Sequence, residues 1–120
     1  MELIETIGEP NVGLLIDAYH CYTTGMKFEE LNQIPIELIV HVHINDAKAI
    51  PVSEILDNDR LYPGEGVIDL VSFLKQLNAI GYKGAVTQEV LTQSPPTISS
   101  EELWRKTANA YRELFEKAGL

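Results

Sequence analysis

The sequence predicts an α/β domain in which short parallel strands alternate with the helices that cover them. Two patterns carry this reading. Apolar runs of strand length, rich in β-branched residues, alternate with helical periodicities, and ionisable side chains recur where those runs end. Composition agrees: 120 residues with 45% hydrophobic and 22% charged side chains are ordinary for a globular domain and exclude a chain too polar to collapse. No apolar run approaches the roughly 20 residues that a bilayer span requires.

Met1 to Ile7 reads as the tail of a helix, and two acids with no basic residue in Met1 to Glu5 are unlike a signal peptide. Val12 to Asp17 is the first strand, an apolar run too short for a helix and introduced by Pro10 and Gly13. A short helix is expected over Met26 to Asn32. The second strand is Glu37 to Asn45, with β-branched Ile39, Val40, Val42 and Ile44. Asp57 to Gly66 is a loop by its Pro and Gly content. Asp69 is an N-cap, and Leu70, Val71, Leu74 and Leu77 follow at helical spacing until Gly81 ends the run. The third strand is Gly84 to Leu91, opened by the turn Gly81-Tyr82-Lys83-Gly84. Ser99 with Glu102 three residues on is a capping box. The helix it starts places Leu103, Trp104, Ala108, Tyr111, Leu114 and Phe115 on its apolar face and closes at Gly119. With no repeat, low-complexity tract or linker, residues 1–120 count as one domain.

Nine bases against 18 acids leave a net charge of 9 − 18 = −9. That argues against nucleic acid as a partner, since no cluster of Lys or Arg is present to neutralise phosphates. Cys21 alone cannot form an internal disulfide, which points to a reducing, cytoplasmic compartment.

Polar residues in buried strands need partners or a purpose. Asp17 ends the first strand, with His20 three residues on. His41 and His43 share one face of the second strand with Ile39 and Asn45, by the period of two. On the third strand Glu89 shares its face with Ala85 and Thr87, both small. Ligands bind α/β folds at the carboxyl ends of parallel strands. There Asp17, His43 and Glu89 have the chemistry of a divalent metal site, suited to Mn²⁺, Mg²⁺, Co²⁺ or Zn²⁺ without choosing among them. Each residue has a plainer reading too. Asp17 caps a following turn, and His41 is a structural histidine; Glu89 is hardest to dismiss, as an inward carboxylate is costly without a partner. Arg60 either sits in a solvated connection or offers a rigid donor fork to an oxyanion or hydroxyl. Tyr19 and Cys21 read as packing residues.

The runs LLIDAYH, HVHIND and DNDRLYPGEGVIDLVSFLKQLNAIGYKG, followed by Gln88-Glu89-Val90, together resemble the xylose isomerase-like TIM-barrel superfamily. That group contains sugar-phosphate isomerases and epimerases and the endonuclease IV type of AP endonuclease. The resemblance implies a partial (β/α)8 barrel comprising its last three βα units, with the N-terminal strands absent from this chain. It implies that Asp17, His43 and Glu89 are metal ligands beside a fourth, a Glu of the fourth barrel strand, that this chain does not supply. His20 then contacts substrate or a second metal, and Arg60 contacts substrate. The nuclease branch carries a zinc-binding His in this loop where Asp59-Arg60-Leu61 stands, and leucine cannot ligate a metal.

The activity implied is divalent-metal-dependent isomerisation or epimerisation of a sugar or sugar phosphate through an enediolate. Glu89 would be ligand and general base or acid, and His20 a second catalytic residue. The alternatives are a metal-dependent dehydratase or nuclease-like hydrolase of the same superfamily, and a non-catalytic half-barrel. A complete barrel takes typically ~250 residues. Open strand edges are a liability, so a homo-oligomer or a complementing chain is the expected partner, alongside a small sugar and without a membrane.

Overall fold

The computed structural model describes residues 2–120, and Met1 of the expected N-terminal helix lies outside them. The elements are α1 (Glu2–Ile7), β1 (Leu14–Asp17), α2 (Ala18–Thr24), β2 (Ile39–Ile44), β3 (Asp46–Ala47), β4 (Arg60–Leu61), α3 (Leu70–Ala79), β5 (Val86–Gln88) and α4 (Ser100–Ala118), with 3₁₀ turns at Phe28–Gln33, Ile36–Leu38 and Val52–Glu54. β1, β2 and β5 form a parallel sheet in the order β1-β2-β5, and β3 pairs antiparallel with β4 in a separate two-stranded ladder. The fold is thus α/β with parallel strands, as expected, with an antiparallel ladder that was not.

All three parallel strands are shorter than expected. At the start of β2 the amide of Leu38 turns back to the Pro35 carbonyl, so residues 36–38 close a 3₁₀ turn and are lost to the ladder. The expected helix over Met26 to Asn32 is likewise a 3₁₀ turn, tighter and shifted to Phe28–Gln33. α2 was not expected at all. Tyr, Cys and Thr are weak helix formers, and the helix stands because Asp17 caps its first turn and Gly25, at φ +74°, closes it in the left-handed region.

Across the sheet Ile16 lies beside Val42 and Val42 beside Val86, while the opposite face carries Asp17 beside His43 and His43 beside Thr87. Ile16, Val42 and Ile44 belong to the core with Phe73, Leu74 and Leu77 of α3 and Leu114 of α4. In α4 the expected face needs correction. Trp104 is 75% exposed and Ala108 also faces outward, whereas Leu114 and Ala118 are buried and Leu103 and Tyr111 half-buried. At about 100° per residue Trp104 shares the sector of Tyr111 and Phe115, but it stands near the start of α4, whereas the buried positions, Leu114 and Ala118, lie in the last turns.

Both helix starts act as expected. Asp69 accepts from the amide and hydroxyl of Ser72, and Glu102 from the amide and hydroxyl of Ser99. These bonds hold both carboxyls below the usual carboxylate range. Between folded and unfolded pKa values the unfolded chain therefore binds more protons, and stability rises with pH. The contribution is complete above the ordinary value of about 4 and is lost as pH falls through the lower folded values. Urea midpoints are expected to hold from about pH 7 to 5 and to fall as the pH drops toward about 3; a flat profile would contradict the capping account.

Candidate metal centre

The strand register assembles the site. β1 ends in Asp17 directly beside His43 of β2, and His43 lies beside Thr87 of β5. The period of two then carries Glu89, just past the end of β5, onto the same face. His43 Nδ1 is 3.2 Å from Glu89 Oε2 and 3.8 Å from Asp17 Oδ2. One donor atom from each of Asp17, His43 and Glu89 lies within 4.8 Å of the others. Ligands at about 2.1 Å around one small dication stand about 3 Å apart. Two carboxylates and an imidazole in this spacing fit such an ion, with Asp17 donating from a buried position and His43 and Glu89 from partly exposed ones.

The two oxygens of Asp17 are used differently. Oδ1 caps α2 by accepting from the Tyr19 amide at 2.8 Å, and it accepts Asn45 Nδ2 at 3.1 Å. Oδ2 faces the cluster. The capping reading and the ligand reading of Asp17 are therefore compatible.

Arg60 departs from its expected setting. The segment Asp57 to Gly66 is not simply a loop, because Arg60–Leu61 forms β4 against β3. This draws the guanidinium inward until its side chain is 1% exposed. Nη1 donates to Asp17 Oδ2 at 2.9 Å and Glu89 Oε2 at 2.7 Å, Nη2 to Asp57 Oδ1 at 2.6 Å, and Nε to the Asp57 carbonyl at 3.0 Å. Burial alone would lower the Arg60 pKa, but the bond it donates to Asp57 and the charge of Asp17 outweigh it and raise it. The same pairing holds the exposed Asp57 carboxyl below its usual range. The guanidinium carbon lies 4.8 Å from the centre of the Tyr19 ring, whose hydroxyl donates to the Leu56 carbonyl at 2.6 Å.

His20 stands at the exposed rim on α2, its Nε2 3.4 Å from Arg60 Nη2 and 4.0 Å from Asp57 Oδ1. His41 bonds Thr87 Oγ1 at 2.7 Å, its ring edge-on to that of His43 at 5.1 Å between centroids, in keeping with a structural role. Cys21 is buried, and desolvation followed by the charge of Asp17 pushes its thiol up to about 11, as suits a packing residue.

Three supporting residues were not anticipated as such. Asn45 links Asp17 to the Glu89 carbonyl. Asp46 accepts from the amides of Ala47, Gly64, Gly66 and Ile68. Asp59 accepts from Lys48 Nζ and the Leu56 amide, which fixes the residue preceding Arg60. The only trace of the Asp46 clasp in the sequence is the pair of glycines two apart. At Gly66 a Cβ would run into Asp46 Oδ1 and the Ala47 carbonyl, so only glycine fits.

The sequence pattern of the xylose isomerase-like TIM barrel family matches residues 1–114. Inosose isomerase of Halalkalibacterium halodurans is 32% identical over 97% of this chain and 41% of its own length. Ketose 3-epimerase of Arthrobacter globiformis is 33% identical over 76% of the chain and 28% of its own length, and 3-dehydroshikimate dehydratase of Pseudomonas aeruginosa 32% over 74% and 14%. Among solved structures, a xylose isomerase domain protein from Alicyclobacillus acidocaldarius superposes with a TM-score of 0.86 at 41% identity, and the IolI protein with a bound zinc atom with 0.86 at 30%. Each superposition covers 98% of this chain and 42% of the other. The chain thus spans about two-fifths of the length of these inosose isomerase and structural relatives. From the match along nearly its whole length and the shared fold, it follows that this chain belongs to the xylose isomerase-like TIM barrel family.

Proposed function

We propose that Asp17, His43 and Glu89 hold a divalent cation and that this chain is the part of a sugar or polyol-ketone isomerase or epimerase that carries three of its ligands. The observation that supports this most directly is the convergence of the three donor atoms within 4.8 Å at the ends of three parallel strands. Kinship with an inosose isomerase and a ketose 3-epimerase, and the zinc atom of the IolI structure, point the same way. A cation bound there supplies polarisation of a substrate carbonyl and its neighbouring hydroxyl. Glu89, half-exposed, takes or returns the proton at the adjacent carbon. His20 at the rim binds a substrate oxygen, and Arg60 exchanges its Nη2 contact to Asp57 for another. The dehydratase kinship keeps elimination open as the outcome of the same proton abstraction.

A second reading has its own observation. In the order β1-β2-β5 each outer strand leaves one edge unpaired among the described residues, and Leu15 on the outer strand β1 is 48% exposed. Such edges invite pairing, so the site would work within an assembly of chains. Native mass spectrometry with and without Mn²⁺ tests both readings: an assembly retaining one cation per chain is expected, and a cation-free monomer would overturn them. Proton abstraction is then read by NMR in D₂O. Deuterium at the carbon beside the carbonyl of an inosose or ketose needs only one base, and Glu89→Gln should abolish its uptake.

A further inference from the structure

We infer that Asn45 is a positioning residue for the cation site, one that determines which oxygen of Asp17 is offered as ligand. This rests on the reading of Asp17, His43 and Glu89 as ligands. Asn45 directly follows β2 and is fully buried, where an amide is costly unless bonded. Its Nδ2 donates to Asp17 Oδ1 at 3.1 Å and to the Glu89 carbonyl at 3.2 Å, while its Oδ1 has no partner among the described residues. The amide cannot be turned over, because that would set an acceptor against two acceptors.

With the Tyr19 amide on its other lone pair, Asp17 Oδ1 is saturated. Only Oδ2 is left to face His43 and Glu89. Through the same nitrogen, the side chain that follows the His43 strand ties the end of β1 to the residue after β5. Core packing alone gives no reason for a polar side chain here, since one of its atoms goes unpaired. A hydrogen-bonding partner behind a ligating carboxylate does give one, and loss of such partners typically weakens metal affinity ~10–100-fold.

The test compares the full chain with Asn45→Leu, which keeps the branched shape and the number of heavy atoms and removes the donor. Mn²⁺ and Zn²⁺ affinities are measured by calorimetry and the cation-free melting temperature by circular dichroism. Affinity is expected to fall about 10–100-fold in a cation-free chain that stays folded and melts lower only by the cost of the lost hydrogen bonds, a loss of affinity in folded protein that a purely structural role would not produce. In a cycle with Asp17→Ala, the leucine change should cost little further affinity, because it acts through Asp17. Should the leucine variant not fold, Asn45→Ser gives the same reading. Wild-type affinity in the variant would overturn the role of Asn45 and leave the ligand trio standing. No binding by the wild-type chain would overturn the trio and Asn45 with it.

Discussion

Replacing Arg60 by methionine is expected to lower the melting temperature by roughly 10–20 °C, the cost of removing one partner from a buried ion pair. Its side chain is 1% exposed and its donors go to Asp17, Glu89 and Asp57. Without it the Asp17 carboxylate, 4% exposed, keeps its desolvation cost and loses its counter-charge. Breaking a buried pair from one side costs about 3–5 kcal/mol. The lower end applies, since Glu89 and Asp57 reach solvent at 36% and 60% exposure and rehydrate. Lysine should recover only part, because a single ammonium cannot reproduce bonds made by three nitrogens.

A cation reaching Asp17 Oδ2 and Glu89 Oε2 takes the same oxygens that Nη1 holds. Added Mn²⁺ should therefore raise the melting temperature of Arg60→Met more than that of the wild type. Thermal unfolding at pH 7 with and without Mn²⁺ decides it, and a variant melting within about 2 °C of the wild type would refute the argument.

Asp46→Ala should cost about 3–5 kcal/mol, read as a fall in the urea midpoint. The Asp46 carboxylate is 1% exposed and accepts four backbone N–H groups at 2.9–3.0 Å, from Ala47 and from the segment Gly64 to Ile68. A hydrogen bond to a charged group is worth about 1.5–3 kcal/mol. The total stays below four such bonds because Gly64 and Gly66 are exposed enough for water to reach their amides. Asp46→Asn should recover little, since its amide sets two donors against two of those N–H groups. Loss of less than about 1 kcal/mol in the alanine variant would mean that the clasp does not hold the segment.

How much of this was legible follows the range of each signal. The N-cap of α3, the capping box of α4 and the apolar stripes of both act within a few residues, and Asp69, Ser99, Glu102 and Gly119 could be read correctly from spacing alone. Trp104 could not, because its periodicity puts it in the apolar sector and does not say that only the last turns of α4 bury residues. α2 depends on one carboxylate cap and a left-handed glycine rather than on helix propensity, so its composition misled. β3 and β4 are two residues each and carry no periodicity. Their pairing is long-range, and with it went the true setting of Arg60.

The sequence by itself determined the alternation of strands and helices, the face on which His43 and Glu89 lie, and the family, because side-chain periodicity and motif order are properties of the chain read one residue after another. Only the tertiary structure decided that Asp17, His43 and Glu89 meet within 4.8 Å, that one oxygen of Asp17 caps a helix while the other faces the cluster, and that Arg60 is buried against three carboxylates. The physical reason is distance along the chain. Asp17 and Arg60 are 43 residues apart, and Asn45 and the Glu89 carbonyl 44. Contacts of that span come from sheet register and hairpin closure, and these follow from how the whole core packs.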